Sequence, residues 1–136
     1  MNYWLIKSEP GTYSWSDLER DKVTLWDGVR NYQARNNLKS MEVGDKCLFY
    51  HSVNEKQVVG IAKVVKPFYP DPTAKEGDWV VVDVEAETKL KNPVTLAQVK
   101  EDDRLSQMVL VRNSRLSVQP VKREEFDVVV ELSEHK

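Results

Sequence analysis

The chain has 136 residues, 40% hydrophobic and 31% charged, with a formal net charge of −2 from 20 basic and 22 acidic side chains. Those values describe a single globular domain over residues 1–136 and exclude a disordered chain. No apolar run approaches the roughly 20 residues of a membrane span, and the lone Cys47 excludes both an intrachain disulfide and a cysteine-based zinc site.

"MNYWLIKSEP" lacks the basic n-region and long apolar core of a signal peptide, so cytoplasm is the default compartment. "YWLIK" (3–7) predicts a first strand, ended by the "EPG" turn at 9–11. Ser14 with Asp17 three residues on predicts a short helix over 14–21 opened by a weak capping box. "NYQARNNLKSM" (31–41) predicts a helix ending near the "VGD" turn at 43–45, although Asn31, Asn36 and Asn37 all disfavour one. A segment whose local preference opposes its structure is often a functional one.

"DKCLFYHS" (45–52) and "QVVGIAKVVKPF" (57–68) predict two strands joined as a hairpin through Val53–Lys56. Gly60 inside the second implies a bulge or a close backbone approach. After the Pro-rich loop "PFYPDPT", Val82, Val84 and Ala86 alternate with Asp83, Glu85 and Glu87, the period of a half-solvated strand over 78–87. Thr95 caps a further short helix. "SVQPV" precedes the C-terminal run "REEFDVVVEL", whose periodicity fits helix and strand equally. The order implies an α+β fold, with a curved or barrel-like sheet flanked by helices.

The charges are unevenly spread. Residues 28–41 carry Arg30, Arg35 and Lys39 without an acid, and 112–123 carry Arg112, Arg115, Lys122 and Arg123 without one. Such segments either face water or ask for an anionic partner. Catalytic patterns are missing: there is no G-x-S-x-G elbow, P-loop, G-x-G-x-x-G or H-E-x-x-H, and the two histidines, His51 and His135, are far apart. No metal or cofactor is expected. A binding module fits better than an enzyme, although Glu9, Asp27 and His51 could serve one acting on a nucleotide-like small molecule.

Nucleic acid suits the remaining groups. Phosphates want Arg and Lys, and an extruded base wants an aromatic face beside fixed hydrogen-bonding groups. "WDGVRNYQARNNLK" (26–39) joins Trp26 and Tyr32 to Arg30, Arg35 and Lys39, with Asn31 and Asn36 able to pair a base edge. "FYHS" adds Tyr50, His51 and Ser52, and "PFYPDP" adds Phe68 and Tyr69. Each aromatic has core packing as its alternative role.

The blocks "WLIKSEPGTYSWSDL", "WDGVRNYQARNNLKSM", "GDKCLFYHS", "VVGIAKVV", "YPDPTA", "PVTL" and "VRNSRLSVQPV" together resemble the EVE domain family, which includes the eukaryotic thymocyte nuclear protein group. The resemblance runs from Tyr3 to Phe126. It implies a PUA-like fold with a strongly curved, barrel-like sheet, and kinship with YTH domains, which read a methylated adenine in RNA. It also implies recognition of a modified base, foremost a modified cytosine such as 5-methylcytosine in DNA, with modified RNA as the alternative partner. Any nuclease or other effector would be a separate protein.

By the same resemblance, the pocket forms where the first strand, the basic helix and the hairpin converge. Lys7, Ser8 and Glu9 would stand at its mouth, with Trp26 as the stacking wall. Asn31, Tyr32, Arg35 and Asn36 would come from the helix, and Tyr50, His51 and Ser52 from the hairpin. Tyr69 and Asp71 on the Pro-rich loop, with Leu116 and Ser117, would close it. Arg30, Lys39 and Arg115 would hold flanking phosphates.

Overall fold

Six strands form the sheet of the computed structural model, which describes residues 1–135: β1 (Tyr3–Ser8), β2 (Val23–Leu25), β3 (Lys46–His51), β4 (Gln57–Pro70), β5 (Val80–Thr95) and β6 (Val118–Val121). Their side-by-side order is β2-β5-β4-β3-β1-β6. β1 and β3 run parallel, while the other neighbours are antiparallel.

Both faces of the sheet are covered, so its central strands are apolar on both sides. Along β1, Trp4 and Ile6 enter one core while Leu5 enters the other. β3 repeats this division with Cys47 and Phe49 against Leu48 and Tyr50. Helices α1 (Trp15–Asp21) and α2 (Tyr32–Ser40) cover the first face through Trp15, Leu18, Ala34 and Leu38. Over the second lie α3 (Leu96–Glu101), a 3-10 turn at Asp103–Leu105, α4 (Val109–Arg112) and α5 (Arg123–Glu134). Each large apolar side chain buried there contributes roughly 1.5–3 kcal/mol.

The sheet is curved but not closed. β4 and β5, 14 and 16 residues long, slip register four times along their pairing, and each irregularity bends the ribbon. The ladder ends in short edge strands, three-residue β2 and four-residue β6, which offer little template for edge-to-edge pairing.

Local chemistry explains most boundaries. Ser14 caps α1 with a complete capping box: its hydroxyl accepts from the Asp17 amide, and the Asp17 carboxylate accepts from the Ser14 amide. Thr95 does the same for α3 with Gln98. Gly60 lies beneath the buried Trp15 indole, and a Cβ there would stand 2.6 Å from the ring. It therefore borders a bulge at Val59 and is the close approach its position predicted. Asp45, 2% exposed, accepts from the Asn2 and Glu42 amides and the Trp4 indole, each at 3.0 Å, and so staples the start of β1 to β3. The ambiguous C-terminal run resolves as α5, because Phe126, Val129 and Ser133 recur on one helical face and are buried.

Candidate functional site

A cavity of about 530 Å³ opens where β1 ends, beside β2 and the turn that precedes β6. Lys7, Ser8 and Glu9 line it from the end of β1, and Thr12 and Tyr13 from the turn that follows. Residues 24–30 supply the opposite wall, and Ser117 completes it.

Each wall is tied to the sheet by backbone bonds. The Glu9 carbonyl accepts from the Thr12 and Tyr13 amides at 2.9 Å, closing the "EPG" turn, and the Ser8 hydroxyl donates to the Tyr13 carbonyl. The Lys7 amide donates to the Ser117 carbonyl at 3.0 Å, bringing Ser117 alongside β1. On the far side, the Trp26 amide donates to the Val82 carbonyl at 2.8 Å, so the chain leaving β2 continues along the edge of β5.

Trp26 belongs to both core and cavity. It is 8% exposed and meets Phe49 edge-on at 5.5 Å and Tyr13 edge-on at 6.4 Å, yet it forms part of the cavity wall. The segment after it is pinned by Asp71. One oxygen of that buried carboxylate accepts from the Gly28 amide and from Arg30 Nη1, both at 3.0 Å. The other accepts from the Thr73 amide at 2.7 Å and the Thr73 hydroxyl at 2.6 Å. Burial alone would raise this carboxyl, but the bonds from Thr73, Gly28 and Arg30 outweigh it and hold Asp71 at about 2. Gly28 itself has φ +78°, a conformation that L side chains rarely adopt.

The cavity carries both signs of charge, Lys7 and Arg30 against Glu9 and Asp27. Burial pushes the Lys7 amine below the ordinary lysine range. That amine donates to the Ser114 carbonyl and stands 5.6 Å from the Tyr50 ring centre. A cavity of this size, with Leu25, Trp26 and Val29 set among several polar groups, suits a flat heteroaromatic ring.

Of the residues the sequence placed at the pocket, Lys7, Ser8, Glu9, Trp26 and Ser117 line the cavity, as does Arg30, which was expected at a flanking phosphate. The others lie outside it, each for a local reason. Asn31 caps α2 by accepting from the Ala34 amide, and Asn36 accepts from the Arg35 guanidinium on the exposed face. Tyr32, Arg35 and Lys39 project from that face as well, Tyr32 being 68% exposed. Tyr50 points into the second core, the face opposite Phe49, and Leu116 is buried in the first.

His51 accepts from the Trp15 amide through Nε2 at 3.0 Å, which leaves the hydrogen on Nδ1 to bond Glu55 at 2.9 Å. Glu9 and Asp27 share the cavity, but His51 does not join them, so that set of three does not assemble. The Ser52 amide merely donates to the Ser8 carbonyl, and the Tyr69 hydroxyl donates to Asp83, which raises it to about 12. Asp71 acts from behind the wall, and Arg115 is exposed outside the cavity. Thr12, Tyr13, Thr24, Leu25, Gly28 and Val29 line the cavity without having been foreseen. Among the described residues, no cluster of three or more His, Cys, Asp or Glu could hold a metal, and no helix is long and apolar enough to cross a membrane.

The family model of the EVE domain matches residues 2–132. The chain belongs to the EVE domain family. This EVE domain is 38% identical to thymocyte nuclear protein 1 of Homo sapiens over 167 aligned positions, covering 98% of this chain and 74% of that protein. Among solved structures, a protein from Agrobacterium tumefaciens superposes with a TM-score of 0.94 at 45% identity, covering 98% of this chain and 93% of the other. The human THYN1 protein, solved in complex with 5-methylcytosine-containing DNA, superposes with a TM-score of 0.92 at 38% identity, covering 100% and 99%. The EVE fold thus accounts for the open, curved sheet and its flanking helices.

Proposed function

We propose that this EVE domain reads a modified cytosine in DNA, swung out of the duplex into the cavity between Trp26 and the end of β1. The observation that carries the reading is the cavity itself, about 530 Å³, walled by the buried Trp26 indole and sharing its lining with Lys7 and Arg30. The complex of human THYN1 protein with 5-methylcytosine-containing DNA supports the choice of base and of DNA over RNA.

Extruding a base costs a few kcal/mol of stacking and pairing. Stacking on Trp26 returns roughly 1 to 3 kcal/mol, and the fixed polar groups supply the rest. Glu9 and Asp27 are acceptors suited to the exocyclic amine of cytosine, while Lys7 and Ser117 are donors suited to its ring carbonyl. A cavity with room for one added methyl discriminates by about 1 to 3 kcal/mol. Arg30 at the mouth and exposed Arg115, two residues before Ser117, would meet the flanking phosphates, which makes affinity salt-sensitive. The domain acts as a reader in the cytoplasm, with any nuclease or other effector supplied as a separate chain.

The test is a titration of duplexes with and without a single 5-methylcytosine at fixed salt. Roughly ten-fold tighter binding of the modified duplex is expected. Equal affinity across plain, 5-methyl- and 5-hydroxymethylcytosine duplexes would sink the reading.

A further inference from the structure

α2 turns a second set of groups away from the core. Tyr32 stacks on Trp79 with ring centres 5.2 Å apart and planes 22° from parallel. The Arg35 guanidinium lies 5.0 Å from the Tyr32 ring centre and 5.9 Å from that of Trp79. Were Arg35 across the ring from Trp79, the longer distance would approach the sum of the other two. It stands beside the stack instead, and the outer face of Tyr32 is open to solvent.

Further along, Lys39 Nζ lies 5.9 Å from the ring centre of Phe68, itself 46% exposed. Arg30 joins this ledge to the cavity, since it lines the cavity and lies 5.6 Å from the Trp79 ring centre. The fold does not require the ledge: the residues that α2 buries are Ala34 and Leu38.

The charges point outward too. Asp78 is exposed and is held by Lys39 at 2.7 Å and by Arg35 at 3.8 Å. A surface carboxylate clamped by two cations occupies the place that an anionic oxygen from outside would take. Surface ion pairs contribute little to stability, so exchanging that carboxylate for a phosphate is cheap. Counterions released from the DNA favour the exchange.

We propose that this ledge is a second DNA contact, in which an unpaired base next to the cavity stacks on Tyr32 while its phosphate replaces Asp78 between Arg35 and Lys39. Swinging one base out of a duplex leaves its neighbourhood unstacked, which supplies such a base beside the cavity mouth. An acidic peptide would use the cations but has no need of the open aromatic face. The ledge rests on the nucleic-acid reading above, but not on which base the cavity selects.

Anisotropy titrations of a plain single-stranded DNA oligonucleotide, and of modified and plain duplexes, test it. Tyr32→Ala should weaken the oligonucleotide about ten-fold, and Asp78→Asn should tighten it several-fold. On the duplexes, Tyr32→Ala should weaken modified and plain DNA by the same factor. Unchanged oligonucleotide affinity in Tyr32→Ala, or weaker binding in Asp78→Asn, would overturn the ledge. So would a loss confined to the modified duplex, which would return Tyr32 to the cavity. Tighter binding of the matching RNA oligonucleotide would overturn the choice of DNA. If the unaltered protein binds modified and plain duplexes equally, the base reading fails, while the two variants on plain DNA still decide the ledge.

Discussion

Residues 26–39 divide into two parts with opposite physics. Residues 26–30 are built in: Trp26 is packed against Phe49 and Tyr13, and Gly28 and Arg30 are pinned by the buried Asp71. From Tyr32 onward, the outward side chains of α2 rest on one another and on Trp79, above a helix that buries Ala34 and Leu38. A rigid wall suits discrimination between ligands that differ by a methyl, because it cannot relax around the wrong one. A surface of stacked rings and long cations suits a partner of variable sequence.

The difference is measurable. Trp26→Ala should cost roughly 3–5 kcal/mol in chemical denaturation, as deletion of a buried indole does; a loss under about 1 kcal/mol would move Trp26 out of the core. Asp71→Ala should cost about 2 kcal/mol, because it removes the hydrogen bonds by which the buried carboxylate holds Gly28, Arg30 and Thr73. Its pH dependence has a defined sign. The folded Asp71 carboxyl lies near 2, below its ordinary value of 3.8. Its contribution is therefore complete above 3.8 and disappears as the pH falls through about 2. Denaturation midpoints of wild type and Asp71→Ala should thus converge on acidification; a constant gap would mean that the carboxylate is not what stabilises the wall.

Asn37 ties the second part to the sheet. Its side-chain amide donates to the Val118 carbonyl at 2.7 Å and ties α2 to β6, so Asn37→Ala should cost about 1 kcal/mol. Tyr32→Ala should change stability by less than about 0.5 kcal/mol while altering binding. A larger loss on thermal unfolding would show that the ledge is structural.

The elements legible in the sequence are those with a local cause. Ser14 and Thr95 cap α1 and α3 through groups three residues away, and the alternation of Val82 and Val84 with Asp83 and Glu85 marks β5. β2 was illegible because three residues carry no period; it exists through pairing Val23, Thr24 and Leu25 with Glu85, Val84 and Asp83 of β5. Val128 to Val130 hid α5 behind strand preference, which packing of Phe126 and Val129 overrode.

The site followed the same rule. Blocks around Lys7–Glu9, Trp26 and Ser117 led to the cavity. Strand parity separates Tyr50 from Phe49, but which face borders the cavity is settled only by tertiary structure. Tyr13 and Thr24 escaped notice because no local chemistry marks them; their role comes from the turn after β1 and strand β2, which bring them to one cavity. Asn31 and Asn36 read as base-pairing groups, yet the first caps the helix and the second takes the Arg35 guanidinium, while Asn37 anchors β6.

Gly60 under the Trp15 indole also proofreads the hairpin. A slip of one residue between β3 and β4 would turn every side chain to the wrong face, and the hydrophobic pattern already forbids it. A slip of two keeps each side chain on its proper face, so the pattern cannot detect it. Such a slip would slide Ala62 beneath the indole, where a Cβ would lie 2.6 Å from the ring. The helix could not then seat, and the turn that carries Tyr13 to the cavity would have no fixed place to end.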